Sequence, residues 1–124
     1  QVYFGWAGSK YNTFGYLHWG LNQYKANPFT QSVVKHPSPA ASSNNYLPAG
    51  DTHIIYPGEN GPLSSIRFES HRLGIEDYEI LEILKSINPS KHSRFIKKLF
   101  INYTNYSLSL NKYMRIKRRV LKSI

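Results

Sequence analysis

The most regular pattern of apolar and polar positions lies between residues 48 and 87. Thr52-His53-Ile54-Ile55-Tyr56 is a short β-branched and aromatic run, bounded by Gly50 and by Pro57-Gly58, and it predicts a buried strand. Gly61-Pro62 predicts a helix entrance, because proline at the first helical position lacks only an N–H that has no partner there. From position 64 onward, apolar residues recur on one side of a 3.6-residue helical wheel, at Ile66, Leu73, Ile80, Leu81, Leu84 and Ile87. This order predicts a strand, a turn and a helix, which together form a βα unit.

Shorter patterns predict the remaining elements. Gln1–Asn12 is mostly apolar and predicts the end of a helix that closes near Asn12, while the glycine-bounded aromatic run Gly15–Leu21 predicts a second strand. Pro89 ends the long helix, because a proline biases the residue before it away from helical angles. Two further helices are predicted over Lys91–Tyr103 and Leu108–Ile124, from apolar stripes at Phe95, Ile96, Leu99 and Phe100 and at Leu110, Tyr113, Met114, Val120, Leu121 and Ile124.

A polar stretch, Gln31–Leu47, is predicted to be a loop. Loops longer than about 12 to 15 residues are usually functional or disordered, and both interpretations stay open for this one.

Composition favours a folded chain of one-domain length. The 124 residues are 40% hydrophobic and 15% aromatic. No apolar run approaches the roughly 20 residues needed to span a bilayer, and the N-terminus lacks the features of a signal peptide. The sequence starts at Gln1 and its only methionine is Met114, so we expect an upstream segment to have been removed or not recorded. The lack of cysteine excludes disulfides and thiolate metal sites and leaves the cellular compartment open.

Charge is distributed unevenly along the chain, which carries a net charge of +9. All seven acids lie between Asp51 and Glu82, whereas ten of the sixteen Lys and Arg residues lie between Lys91 and Lys122. On the last predicted helix, the basic residues are Lys112, Arg115, Lys117, Arg118, Arg119 and Lys122. They predict either a binding module that contacts nucleic acid or an acidic polysaccharide, or a solvated face of a docked helix. The absence of a nucleic-acid-binding motif favours the second interpretation.

The segment from Tyr56 to Glu79 also carries a long motif at fixed spacing. It resembles the C-terminal end of the catalytic domain of glycoside hydrolase family 123 and its relatives, in which Y/F-P-G is followed by P-x-S-S-I-R-x-E-x-x-R-x-G-I-x-D-Y-E. The matching residues are Tyr56, Pro57, Gly58, Pro62, Ser64, Ser65, Ile66, Arg67, Glu69, Arg72, Gly74, Ile75, Asp77, Tyr78 and Glu79.

Two further segments carry the same resemblance. Gly15, Leu17, Trp19 and Asn22 reproduce the family's G-x-L-x-W-x-x-N, and a final helix is loosely matched at Arg118, Val120, Leu121 and Ile124. The family often continues from the first of these to D-P-W, whereas this chain has Asn27-Pro28-Phe29 and lacks the acid.

The resemblance implies the end of a (β/α)₈ barrel. Two short strands joined by a crossover-length connection predict a parallel pair, and a complete barrel needs roughly 250 residues. The predicted fold class is therefore α/β, a C-terminal fragment of a TIM-like barrel with two short parallel strands, helices and a C-terminal helical extension. Residues 1–88 are the last βα units and residues 89–124 a closing helical segment. An antiparallel hairpin through Thr52–Tyr56 would contradict this interpretation.

The resemblance also implies a reaction, namely retaining hydrolysis of N-acetylgalactosaminides assisted by the substrate's own 2-acetamido group. The reaction uses an adjacent Asp-Glu pair on an earlier strand, which this chain does not contain. We therefore expect a carbohydrate substrate, the remainder of the barrel as an upstream partner, no cofactor, no catalytic residue within these residues, and no activity for the fragment alone. Glu76-Asp77 is rejected as a substitute, because neighbours on a helix point about 100° apart and this pair lies over two turns into the helix.

Four residues are predicted to bind substrate: Trp19, Asn22, Tyr56 and Arg67. Aromatic rings offer a flat face to a sugar, and the amide of Asn22 can hydrogen-bond a hydroxyl or acetamido group. The alternatives are that Trp19 and Tyr56 fill the barrel interior and that Arg67, with Glu69 and Arg72, belongs to the scaffold. The five histidines (His18, His36, His53, His71 and His92) show no metal-ligand spacing, so no metal site is predicted.

Overall fold

The computed structural model describes residues 2–24, 26–35 and 46–124, with side chains from Phe4 onward. Most of the loop predicted over Gln31–Leu47, including His36, lies outside the described residues, as does Gln1. The helices are a π-helix over Val2–Ala7, α1 (Gly8–Tyr11), α2 (Ile66–Ile87), α3 (Pro89–Leu99) and α4 (Leu110–Leu121). The strands are β1 (Phe100–Asn102) and β2 (Asn105–Tyr106).

The chain divides into two compact units. The first, here called the helical unit, comprises Gln1–Tyr16 and Ser70–Ile124, and the second, the loop unit, comprises Leu17–Glu69. The hydrophobic core of the helical unit is formed by Trp6, Ala7, Leu81, Leu84, Phe95, Ile96, Leu99, Phe100, Tyr113, Ile116 and Val120. The π-helix, α2, α3 and α4 thus contribute one apolar face each, as expected for amphipathic helices around a shared core.

The predicted helical stripes are partly correct. Phe95, Ile96, Leu99 and Phe100 are all buried, whereas the stripe of α2 is shifted. In α4 only Tyr113 and Val120 of the predicted stripe are buried, together with Ile116, and the other four predicted residues are exposed. Helix α2 buries Gly74, Asp77, Leu81 and Leu84. Ile66 and Ile87, predicted to face the core, are 88% and 58% exposed. The shift arises because a glycine and an aspartate occupy buried positions that a hydrophobicity pattern assigns to the surface.

Local signals correctly placed some of the helix ends. The helix entrance predicted at Gly61-Pro62 is wrong, because Leu63 pairs with Tyr56 and α2 begins only at Ile66. The first helical segment closes at Asn12, whose φ of 55° lies in the left-handed region that asparagine tolerates. α2 ends at Ile87 and α3 begins at Pro89, while the side chain of Asn88 caps α3 by accepting from Lys91 N. Ser109 caps α4 in the same way, by accepting from Lys112 N.

The helix predicted over Lys91–Tyr103 is wrong beyond Leu99, because β1 and β2 form an antiparallel hairpin there. The side chain of Asn102 accepts from both the N–H and the hydroxyl of Thr104, and this closes the turn. Phe100 is fully buried in the extended conformation. An Asx-type turn therefore overrides an apolar stripe that fits a helix equally well.

The parallel pair predicted from Gly15–Leu21 and Thr52–Tyr56 is wrong. Within the described part of the loop unit, pairing is limited to isolated antiparallel bridges at Asn22–His53 and Tyr56–Leu63. The second bridge folds Leu63 back onto Tyr56, because the intervening segment contains Gly58, Gly61 and two prolines that reverse the chain. The described structure is thus a mixture of helices with a small two-stranded antiparallel sheet. The antiparallel bridge at Tyr56 argues against a closing barrel strand at Thr52–Tyr56, so the barrel fragment stays a prediction that rests on the family resemblance alone.

Candidate functional site

Two residues of the motif, Ser65 and Arg67, attach the start of α2 to the segment before it. The hydroxyl of Ser65 donates to the Ile54 carbonyl and accepts from Phe68 N at 3.1 Å, so it also caps the helix. Arg67 Nε donates to the His53 carbonyl at 3.0 Å. Because these bonds fix the helix start against residues 53 and 54, Arg67 is held beside Tyr56.

The turn between Tyr56 and Leu63 is held at both ends. Tyr56 N donates to Leu63 O at 2.9 Å, and Leu63 N donates to Tyr56 O at 2.8 Å. A Cβ on Gly58 would lie 2.6 Å from the Gly61 carbonyl, and Gly61 itself has a φ of 137°. Both positions therefore need glycine, for close approach in one case and for backbone angle in the other. This explains the glycine of the Y-P-G motif.

A cavity of about 220 Å³ opens in the loop unit beside this turn. Its lining residues are Pro28, Gln31, Ser32, Val33, Ala49, Gly50, His53, Tyr56 and Arg67. The Arg67 guanidinium carbon lies 5.6 Å from the centre of the Tyr56 ring, and Nη2 is 3.4 Å from the Tyr56 hydroxyl. Two of the four predicted substrate-binding residues, the aromatic Tyr56 and the cationic Arg67, thus line the same cavity.

Seven of the nine lining residues were not predicted from the sequence, and two of these, His53 and Gly50, contact Arg67. His53 is 8% exposed; its Nδ1 lies 3.0 Å from Thr52 Oγ1, and its Nε2 has no hydrogen-bond partner among the described residues. Burial, followed by the nearby Arg67 charge, lowers the pKa of His53. Gly50, with φ of 78°, packs against Arg67, since a Cβ there would lie 2.7 Å from Cζ. Only the bounding role of Gly50 was visible in the sequence.

The other two predicted residues lie in the same unit but do not line this cavity. Trp19 is 44% exposed and donates from Nε1 to Asp51 Oδ2 at 3.0 Å. Asn22 is exposed and pairs through its backbone with His53. The structure therefore places Trp19 and Asn22 beside the chain segment that carries His53, not at Tyr56 and Arg67.

The segment that replaces the family's D-P-W borders the cavity. Asn27 Oδ1 accepts from Phe29 N at 2.9 Å, a bond that an aspartate also makes in an Asx turn. Phe29 packs on Tyr56 with ring centres 5.3 Å apart, and Pro28 lines the cavity. Asparagine thus supports the turn but contributes no negative charge to the cavity.

Glu76 and Asp77 have separate partners in the helical unit. Glu76 pairs with Arg72 on the surface of α2. Asp77 is 2% exposed, and its Oδ2 accepts from Trp6 Nε1 at 2.9 Å and from the Tyr113 hydroxyl at 2.8 Å. Asp77 Oδ1 forms an ion pair with Lys117 Nζ at 2.6 Å. Oδ1 has no other partner in the described part of the chain. Asp77 therefore joins the π-helix to α4.

A serine, a histidine and a glutamate also meet in the helical unit. The Ser9 hydroxyl donates to Glu82 Oε1 at 2.6 Å, so it can only accept from His92 Nε2, at 2.8 Å. In a hydrolytic triad the serine hydroxyl donates its hydrogen bond to the histidine, which then accepts the proton. Here the hydroxyl donates to the Glu82 carboxylate instead. With Ser9 only 1% exposed, this cluster is structural.

The described ranges contain no group of three or more His, Asp or Glu side chains placed to bind one metal ion. No described helix combines the length and apolar character needed to cross a bilayer.

Comparison with known proteins bears on the cavity and its motif. The model of the family "Glycoside hydrolase 123, catalytic domain" matches residues 1–84, about two thirds of the chain, and so includes the whole loop unit. α3, the hairpin and α4 lie beyond the matched range. No curated protein matches the chain. Because the match covers well over half of its residues, the chain belongs to the glycoside hydrolase 123 catalytic-domain family.

Proposed function

We propose that this chain is the C-terminal portion of a retaining glycoside hydrolase acting on N-acetylgalactosaminides or related glycans, and that Trp19, Asn22, Tyr56 and Arg67 form part of the wall of its sugar site. Membership of a glycoside hydrolase family implies a carbohydrate substrate. The observation that carries the proposal is the cavity at Tyr56 and Arg67, which lies on the Y-P-G and S-S-I-R parts of the family motif.

In this proposal residues 1–88 are the last units of a TIM-like barrel and residues 89–124 close it. The barrel interpretation rests on the family resemblance and not on strand pairing, since the bridges of the loop unit are antiparallel. The closing role of the last segment is supported by Tyr113 and Lys117 of α4, which both contact Asp77 of the motif.

In the proposed function the four wall residues bind the sugar, and the catalytic Asp-Glu pair lies outside these 124 residues. The Tyr56 and Trp19 rings offer apolar faces to sugar C–H groups, while Arg67 and Asn22 offer hydrogen bonds to its polar substituents. The substrate-assisted reaction needs an Asp-Glu pair, and these 124 residues contain no Asp-Glu dipeptide. The chain alone is therefore expected to bind sugar without cleaving it.

An assay with nitrophenyl N-acetyl-β-galactosaminide tests whether the chain lacks catalytic activity of its own. The purified 124-residue chain is expected to release no nitrophenol above a protein-free blank. Cleavage that grows with protein concentration would overturn the placement of the catalytic pair outside these residues.

Binding of methyl N-acetyl-β-galactosaminide, followed by NMR titration, tests the wall. Trp19→Ala is expected to weaken binding roughly three- to tenfold, as loss of a ring face does. Phe14→Ala is the matched control, because Phe14 is a fully exposed aromatic residue of the helical unit. Equal affinities for Trp19→Ala and the original chain would remove Trp19 from the site.

A second candidate function rests on α4. This helix buries Tyr113, Ile116 and Val120, and on another face it carries Asn111, Met114, Arg115, Arg118, Arg119 and Lys122 around one shallow groove. Because the apolar residues dock the helix, the basic face is available to an anionic polymer such as an acidic polysaccharide. Lys117 does not belong to this face, since it pairs with buried Asp77.

A further inference from the structure

Arg67 is a cation without an acid. Its guanidinium has five N–H donors, and two of them are used, by the His53 carbonyl and the Tyr56 hydroxyl. Among the described residues, no carboxylate lies within ion-pair distance of it. The side chain is half-buried, and a partly desolvated charge is costly unless an opposite charge compensates it.

The cavity beside Arg67 supplies positive charge and hydrogen-bonding groups but no acid. None of its nine lining residues is Asp or Glu, and they include the hydroxyls of Ser32 and Tyr56 and the amide of Gln31. The turn that borders the cavity has Asn27 where the family often has the aspartate of D-P-W. An anion entering this cavity would therefore meet a cation and no negative charge from its walls.

His53 gives an independent indication that a polar ligand group belongs here. Its ring is more than nine-tenths buried, and its Nε2 is without a partner among the described residues, although buried polar atoms are nearly always hydrogen-bonded. When Thr52 donates to Nδ1, the proton lies on Nε2, so the unpartnered atom of this cavity-lining residue is a hydrogen-bond donor.

Size limits what the cavity can hold. Its volume is about 220 Å³. Pockets for small-molecule ligands usually measure about 300 to 1,000 Å³, so this one fits a single sugar residue or a substituent rather than an oligosaccharide. The planar guanidinium fork matches two oxygens of a carboxylate or a sulfate, which a lone hydroxyl cannot use as fully.

We propose that the cavity formed by Arg67, His53 and Tyr56 binds an anionic substituent of the glycan, a sulfate ester or a carboxylate, and so selects acidic N-acetylgalactosamine-containing glycans over neutral ones. This inference rests on the proposed function, since it assumes that the cavity belongs to the sugar site. It adds to that function a charge preference that Arg67 supplies.

The test compares three probes by NMR titration of the 124-residue chain: methyl N-acetyl-β-galactosaminide, its 6-sulfate, and the analogue with a carboxylate at carbon 6. At least one charged probe is expected to bind about tenfold more tightly than the neutral sugar, as a charge-assisted pair provides. The two charged probes distinguish sulfate from carboxylate as the preferred group. Raising the salt concentration should weaken binding of the charged probe and leave the neutral one unchanged.

Three variants test whether Arg67 causes the preference for charged probes. Arg67→Gln should reduce the charged-to-neutral ratio to about one, whereas Arg119→Gln, which removes the same charge from the exposed face of α4, should retain it. Arg67 also holds the helix start, so Arg67→Lys, which keeps the charge without the fork, is compared after circular dichroism shows that it is folded. It should keep part of the preference.

The outcomes separate the two proposals. Equal binding of all three probes overturns the charge preference and leaves the proposed sugar site intact. Binding of none of them removes both. A preference that persists in Arg67→Gln and is lost in Arg119→Gln overturns the assignment to this cavity and transfers it to α4.

Discussion

At the scale of single residues, the family motif is explained by close contacts as much as by chemistry. Gly74 lies against Phe4, and a Cβ there would be 2.8 Å from Phe4 Cβ. Asp77, three residues on, binds Trp6, Tyr113 and Lys117. The G-I-x-D part of the motif therefore seats the first helical segment on α2, which is a structural role that a spacing pattern alone does not distinguish from a catalytic one.

Gly5 provides the sharpest test of this seating. A Cβ on Gly5 would lie 2.6 Å from the Gly74 carbonyl and 2.7 Å from Asp77 Cβ, both in α2. Gly5→Ala is expected to lower the free energy of unfolding by roughly 1 to 3 kcal/mol, as overpacking does. Urea unfolding followed by tryptophan fluorescence measures the change.

Gly15→Ala is the control, because nothing lies within 4 Å of a Cβ there. It should leave stability within about 0.5 kcal/mol of the original or raise it slightly. Equal losses for the two variants would contradict the contact argument.

At the scale of elements, α1 is joined to α2 and α3 by the cluster of Ser9, Glu82 and His92. Burial, then the Lys85 charge, lowers the pKa of His92, and these outweigh the opposing effect of Glu82. Burial raises the pKa of Glu82, but hydrogen bonds from Ser9 and Lys85 and the charges of Lys85 and His92 outweigh it, so the net shift is downward. For both groups the unfolded chain binds protons more readily than the folded one.

Stability of the helical unit should therefore fall as the pH falls. The His92 contribution is complete above its unfolded pKa of 6.5 and is lost below it, and the Glu82 contribution is lost below 4.5. We expect a lower urea midpoint at pH 5 than at pH 7.5, with a smaller loss over this range in His92→Gln, whose amide can still donate to Ser9. Glu82→Gln should reduce the further loss between pH 5 and 3.5 instead. Parallel pH profiles for His92→Gln and the original chain would refute this assignment.

At the scale of the whole molecule, charge is separated along the chain. A net charge of +9 combines with a stretch, Lys91–Lys122, that contains ten basic residues and no acid. Such a distribution draws polyanions to the surface with an affinity that depends on salt. The charge distribution therefore affects association with other molecules and not the fold.

The second candidate function predicts that the basic face of α4 binds an anionic polymer. Retention on a sulfated polysaccharide column should require Arg115, Arg118 and Arg119, so replacing all three by Gln should lower the eluting salt concentration markedly. Replacing Lys91, Lys97 and Lys98 of α3 by Gln removes the same charge and is the matched control. Equal decreases would show attraction by net charge alone, and elution of the original chain at low salt would remove this function.

The sequence by itself determined the family, the helix ends at Asn12 and at Ile87, and the existence of α2, α3 and α4, because caps, prolines and motif residues act over a few positions. It also indicated Tyr56 and Arg67, which lie on that motif. Tertiary structure alone decided the rest: the antiparallel bridges in place of parallel strands, the hairpin after Leu99, the burial of Asp77, and the meeting of His53 and Gly50 with Arg67. Each of these depends on which distant segment supplies a neighbour. A hydrophobic period reports that a side chain is to be buried, and it carries no information on the group against which it is buried.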